Sequence, residues 1–258
     1  MSAVNTTTVN PWVLNPSQKA NARLRLFCFP YAGGGAAIYR AWPAGLPKSV
    51  EVRPVQLPGR EGRLREAPFS SLRPMVEAVG EALLPLLDMP FAFFGHSMGG
   101  ILSFELARWL RREHGLAPEH LFVSARWAPQ VIDEDPPTYN LPEAEFLEEV
   151  RSLNGTPEEV LKHPELLQLI LPLLRADFEV CQAYTYEAEP PLNCPLTVYG
   201  GLMDETVERH KLEGWREHTT GPFTLRMFPG NHFFLNSDRS LLLHTLSQDL
   251  ERFMHTMK

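Results

Sequence analysis

Residues Phe91-Ala92-Phe93-Phe94 are apolar at consecutive positions and run without a break into Gly95-His96-Ser97-Met98-Gly99. A strand that is apolar on both faces has to be covered on both, the condition of a central strand in a parallel sheet. Directly after the motif, Ile101, Leu102, Leu106 and Trp109 recur at helical spacing through 100–112. The chain must therefore pass from a buried strand to an amphipathic helix within a few residues. Glycine on either side of a serine suits a turn so sharp that a Cβ there would clash, and such a strand-to-helix corner presents a serine hydroxyl as a nucleophile. In another setting the same residues would form a glycine-rich turn with a capping serine. Three fixed positions recur by chance too readily to decide between the two; their placement favours the nucleophile.

Strand and helix signals alternate along most of the chain. Leu24 to Phe29 reads as a short strand ended by Pro30 and Gly33-Gly34-Gly35, and residues 50–57 as a second strand closed by Pro58-Gly59. Leu72, Met75, Val76, Val79, Leu83 and Leu86 follow the 3.6-residue period, with Ser70 or Ser71 as cap. Residues 121–123, 196–199 and 223–228 supply further strands, and 237–255 a closing helix. This alternation predicts an α/β fold with a mostly parallel, doubly wound sheet. Between 133 and 191 only proline-punctuated helical segments appear, at 143–153, 157–162 and 164–184, with Pro172 placed for a kink. That stretch predicts a helical insertion, read equally well as a mobile lid or as helix packed on the sheet. Residues 1–22 are polar and predict a flexible arm ahead of one domain spanning 23–258.

With 258 residues, 44% hydrophobic and 21% charged, the chain is long enough for one large α/β domain. Its net charge of -7 repels phosphate backbones and anionic membranes, so neither nucleic acid nor a membrane is an expected partner. Cys28, Cys181 and Cys194 are too few and too scattered for a disulfide framework, and no signal peptide or spanning segment is visible. The expectation is a cytoplasmic monomer.

A serine hydroxyl needs a base, and in an elbow-bearing fold the partners follow in the order Ser, Asp, His. Asp204 ends Gly200-Gly201-Leu202-Met203-Asp204 just after one predicted strand, and His232 stands in Pro229-Gly230-Asn231-His232-Phe233 just after the next. Ser97, Asp204 and His232 are the candidate catalytic residues. The oxyanion of an acyl-transfer intermediate calls for two N–H donors, assigned to Met98 and to Ala32 in the glycine-rich loop. That loop has neither dinucleotide-binding nor phosphate-loop spacing. His96 is expected to pack or hydrogen-bond inside the elbow. The other histidines show no ligand spacing and the cysteines no elbow, so no metal or cofactor is expected. Tyr31, Phe178 and Phe233 are the aromatic candidates for substrate contact. Arg60, Arg63 and Arg65 read as a solvated face in preference to a patch that steers an acidic partner.

Four blocks together, Phe29-Pro30-Tyr31-Ala32-Gly33-Gly34, Gln56-Leu57-Pro58-Gly59-Arg60-Glu61, Gly95-His96-Ser97-Met98-Gly99-Gly100 and Gly230-Asn231-His232-Phe233-Phe234, resemble the type II thioesterases of polyketide and nonribosomal peptide assembly lines, members of the α/β-hydrolase superfamily. Leu174-Arg175-Ala176-Asp177 resembles that family's lid. Gln182, where an acidic residue is expected, and Asn231, where a second glycine is commoner, depart from the pattern. The resemblance implies hydrolysis of acyl groups from the phosphopantetheine arm of an acyl or peptidyl carrier protein, an editing reaction that removes stalled or wrongly primed units. Alternatives are a medium-chain fatty acyl thioesterase, a small-molecule carboxylesterase, a transacylase, and a catalytically silent module that binds acyl carriers.

Overall fold

The computed structural model describes residues 10–14, 21–153, 155 and 158–256. In chain order the strands and helices are β1 (Leu24–Phe29), β2 (Val50–Pro54), α1 (Leu72–Leu83), β3 (Phe91–His96), α2 (Met98–His114), β4 (His120–Ser124), α3 (Glu143–Ser152), α4 (Glu158–Leu161), α5 (Pro164–Gln182), β5 (Leu196–Gly201), α6 (Arg209–Glu213), β6 (Phe223–Phe228), α7 (Phe234–Ser237) and α8 (Arg239–Thr256). Six strands form one sheet in the order β2-β1-β3-β4-β5-β6, every neighbouring pair parallel. The order reverses beside β1 and β3, the place where an open α/β sheet leaves a crevice at its carboxyl edge.

The consecutive apolar runs divide by residue parity. Phe27, Phe29, Phe91 and Phe93 enter the cluster packed under α1 and α2, whereas Leu26, Cys28, Ala92 and Phe94 enter the cluster packed under α8. Two-residue periodicity on a strand covered by helices on both sides accounts for this division. Full burial of one such side chain contributes roughly 1.5–3 kcal/mol, so the central strands hold the sheet.

Several element bounds differ from the sequence reading for identifiable reasons. The strand expected over 50–57 leaves the sheet after Pro54, because Val55 bridges antiparallel to Val13 and the Gln56 N–H donates to Trp12 O at 2.7 Å. Residues 10–14 are thus tied to the domain; the rest of the expected arm, apart from residues 21–22, lies outside the described residues. Ser71 occupies the N-cap position of α1, but its side chain makes no capping bond. Helix α2 starts at once at Met98 and ends on Gly115, left-handed at φ 65°, with Gly115 and Leu116 N–H groups returning to Arg111 and Leu110 carbonyls. The closing helix is broken at Asp238 into α7 and α8. Pro172 sits inside α5 without ending it.

The insertion between β4 and β5 contains α3, α4 and α5 and, among the described residues, no strand. It has its own small apolar cluster of Phe146, Val150 and Leu174, with Phe178 packed against it. No described helix is long and apolar enough to cross a membrane.

Candidate active site

Ser97 stands between β3 and α2 at φ 53°, ψ -116°, in positive-φ space that side-chain-bearing residues rarely adopt. The corner is held by the Ser97 N–H donating to Ser124 O at 2.7 Å and the Gly100 N–H to Ser97 O at 2.8 Å. Both flanking glycines are required by space. A Cβ on Gly95 would strike the Gly99 carbonyl, and one on Gly99 would strike the carbonyls of Phe29 and Pro30. The second contact also seats the start of α2 against the loop that follows β1.

His232 is carried by the loop after β6. Its Nε2 lies 3.0 Å from Ser97 Oγ and its Nδ1 2.8 Å from Asp204 Oδ2. Asp204 follows β5, and its other oxygen accepts from Thr206 N–H, Thr206 Oγ1 and Val207 N–H at 2.9, 2.7 and 3.1 Å. Burial by itself would raise the Asp204 pKa, but the bonds from His232 and Thr206 outweigh it and hold the carboxyl below its ordinary value. The ionised carboxylate favours an imidazole proton on Nδ1, the arrangement in which Nε2 accepts from the Ser97 hydroxyl. The three residues, 135 positions apart at the extremes, make one continuous hydrogen-bonded array.

His96 is bonded to the backbone of His232. Its Nε2 lies 2.9 Å from the His232 carbonyl and its Nδ1 2.9 Å from Ser124 Oγ. Complete burial, then the neighbouring His232, push the His96 pKa well below the ordinary value. The ring is therefore neutral, with Nε2–H donating to His232 O and Nδ1 accepting from the Ser124 hydroxyl.

The N–H of Met98 opens α2, and the N–H of Ala32 lies in the loop after β1. Neither has a hydrogen-bond acceptor among the described residues. Both are free to donate, and the helix N-terminus at Met98, the residue after Ser97, favours negative charge. Of the aromatic candidates, Tyr31 and Phe233 meet edge to face at 5.0 Å and both pack on His96, while Phe233 also packs on His232 at 5.1 Å. Phe178 lies instead inside the insertion, edge to face with Phe146 at 5.2 Å.

The insertion meets both sides of the array. Gly155 lies so near the Phe233 ring that a β-carbon would collide with it, and Leu174 of α5 lies equally near Gly33. Gln182 takes the place of the expected acid by accepting Thr138 and Tyr139 N–H groups at 2.9 and 3.1 Å while its amide donates to Thr138 Oγ1. An amide satisfies this turn with one more bond than a carboxylate could.

Neither reading of the arginines holds for two of them. Arg60 is 3% exposed and Arg63 9%, so they are not a solvated face and present no charge to a partner. Arg60 pairs with Asp177, and Arg63 pairs with Glu66 and lies over the Trp12 ring. Sequence reasoning also missed Thr206, whose Oγ1 is 2.7 Å from Asp204 and 3.2 Å from His232 Nδ1. Its two-residue distance from an aspartate, the spacing of an Asx turn, was the available signal. Cys28, Cys181 and Cys194 are free thiols, and burial pushes Cys181 and Cys194 up to about 11 and about 12. No cluster able to hold a metal ion occurs among the described residues.

A family model described as "Thioesterase domain" matches residues 24–250. Linear gramicidin dehydrogenase LgrE of Brevibacillus parabrevis is 47% identical over 253 residues, with 96% of each chain covered. The gramicidin S biosynthesis protein GrsT of Aneurinibacillus migulanus is 47% identical over 242 residues, covering 94% of each. Among solved structures, the type II thioesterase BorB from the borrelidin biosynthetic cluster superposes with a TM-score of 0.81 at 36% identity, covering 92% of this chain and 96% of that one.

Proposed function

Since the chain belongs to the thioesterase domain family, we propose that it is a type II editing thioesterase that hydrolyses acyl groups from the phosphopantetheine arm of acyl or peptidyl carrier proteins in polyketide or nonribosomal peptide synthesis. The observation that carries the reading is the unbroken array Ser97 Oγ, His232 Nε2 and Nδ1, Asp204 Oδ2, with the unpaired N–H of Met98 directly following the serine in the chain. The names of the relatives state different activities, a dehydrogenase for LgrE and a thioesterase for BorB. The hydroxyl–imidazole–carboxylate array favours the second for this chain.

Ser97 Oγ attacks the thioester carbonyl carbon while His232 Nε2 takes the hydroxyl proton. The oxyanion is received by the Ala32 and Met98 N–H groups, and Asp204 stabilises the imidazolium. The intermediate collapses with cleavage of the carbon–sulfur bond, and His232 returns its proton to the departing thiol. Water, deprotonated by His232, then attacks the acyl-serine, releasing the acid and regenerating Ser97. Tyr31 and Phe233 wall the site beside the base; Phe178 shapes the acyl end from within the insertion. Each chain carries the whole array, which supports action as a monomer, and free thiols fit the reducing cytoplasm where carrier proteins work.

The test is acid release from acetyl-, propionyl- and longer acyl-carrier proteins beside the same acyl groups on coenzyme A, with Ser97→Ala as blank. Faster, Ser97-dependent release from the carrier is expected. Equal or better turnover of coenzyme A thioesters or simple esters would move the function to a free acyl thioesterase or an esterase.

A further inference from the structure

The Gln56-Leu57-Pro58-Gly59-Arg60-Glu61 block has no part in the array of Ser97, His232 and Asp204, yet its arginine is among the most buried charges of the molecule. Arg60 is 3% exposed and its partner Asp177, on α5, is 0% exposed. Their contact is two-pronged, Nη1 to Oδ2 at 2.8 Å and Nη2 to Oδ1 at 2.9 Å. A buried ion pair is weak evidence of stabilisation, since the desolvation of both charges offsets the attraction. Arg60 Nε donates to Pro58 O at 3.2 Å, and the pair's other bonds go to the loop after β1: Asp177 Oδ2 accepts the Gly33 N–H at 2.7 Å, and Arg60 Nη1 donates to Gly34 O at 3.0 Å.

Gly33 and Gly34 are the two residues that follow Ala32. Tyr31 to Gly34 form a turn closed by the Gly34 N–H to Tyr31 O bond at 2.9 Å, with Gly33 at φ 75°, the pattern of a type II turn. The ion pair grips this turn from both polarities, carboxylate on the Gly33 amide proton and guanidinium on the carbonyl of the following residue, Gly34. Leu174, three residues before Asp177, closes against Gly33. The Ala32 N–H shares a peptide plane with Tyr31 C=O, which accepts the Gly34 N–H, so holding the turn at Gly33 N–H and Gly34 O also fixes the plane that carries the Ala32 donor.

We propose that Arg60 and Asp177 are positioning residues for the oxyanion site: they fix the direction of the Ala32 N–H, so that this donor is in place only while α5 of the insertion is docked. The inference rests on the hydrolase reading above. It differs from a purely structural role in acting on the transition state and not on substrate affinity.

Arg60→Lys keeps a cation near Asp177 but cannot serve both carboxylate oxygens and Gly34 O; Asp177→Asn keeps an acceptor for Gly33 N–H without the charge. With an acyl-N-acetylcysteamine thioester, and with active sites counted by burst titration so that unfolded protein does not enter, each is expected to lower kcat by roughly ten- to a hundredfold, short of the ~10²–10³ lost when an oxyanion donor is removed. KM is expected to stay within about threefold. Affinity for an alkylboronic acid, which forms a tetrahedral adduct on Ser97, should fall by the same factor as kcat/KM. Raised KM at unchanged kcat, or unchanged kcat per active site, would overturn the proposal while Ser97-dependent turnover of the parent protein stands. Turnover of the parent protein that survives Ser97→Ala would overturn the hydrolase reading and this proposal with it.

Discussion

Asp204 has two tasks that a substitution can separate. One oxygen holds His232, and the other closes a turn on Thr206 and Val207. Asp204→Asn preserves the shape of the turn, but its amide, if it turns toward the ring, donates to Nδ1 and moves the imidazole proton to Nε2, where Ser97 then finds a donor instead of an acceptor. Loss of kcat on the order of 10⁴ is expected, with the unfolding midpoint in urea nearly unchanged. A loss below tenfold would show that Thr206 Oγ1, 3.2 Å from Nδ1, orients the ring unaided. Gly99→Ala acts in the opposite way, through the fold. Its methyl would meet the carbonyls of Phe29 at the end of β1 and Pro30 just after it, so destabilisation of about 3 kcal/mol or more is expected by urea titration. At this scale the contact of Ser97, His232 and Asp204 was legible in the sequence, because the glycine-flanked corner singles out one serine and chain order directs the search for its two partners. Arg60 with Asp177 was not. The two lie 117 residues apart, and an arginine in a polar turn reads as solvated unless its buried partner is known.

Among the elements, α5 is anchored unevenly. Leu173, Leu174, Ala176, Asp177 and Val180 are buried, whereas Leu166 and Leu169 in the first turns are 46% and 50% exposed. Opening free energy follows burial, so amide exchange should divide the helix near Pro172, with residues 173–182 protected like β3 and β4 and residues 165–171 exchanging at least tenfold faster. Uniform protection along α5 would make the insertion plain core, and uniform fast exchange would make it a lid free along its whole length. The sequence left these two readings level because the same apolar period serves a helix on a sheet and a helix that opens from it. Strands were easier: apolar runs such as Phe91–Phe94 admit one kind of environment. Bounds were lost where a partner outside the element decided them, as where Val13 takes Val55 out of the sheet.

Taken as one molecule, the fold has a buried histidine on each face of the sheet besides His96 beside Ser97, and all three oppose folding in acid. His120 stacks on Phe122 at 4.0 Å and meets Phe253 under α8, while His218 packs on Phe104 and Trp215 on the α2 side. Burial lowers both to about 4, with nearby Arg108 adding to the effect at His218. In the unfolded chain each regains a pKa of about 6.5. Between these values the unfolded state binds protons that the folded state refuses, so stability is full above about pH 6.5 and declines as pH falls toward 4. Depressed carboxylates such as Glu51 and Asp204 lose their contribution only at lower pH, through and below their ordinary range. The window from 6.5 to 4 therefore carries the histidine contribution, which the carboxylates join only below about pH 5. His120 alone should remove on the order of 3 kcal/mol across it. In urea titrations at pH 7, 6, 5 and 4.5, His120→Phe should unfold with a shallower pH slope, by about one proton at the steepest point, even though it leaves the Thr197 hydroxyl without its ring partner at 2.9 Å. An identical slope in the variant would mean that water reaches the His120 ring in the folded state, and that the α8 face of the core is looser than its packing indicates.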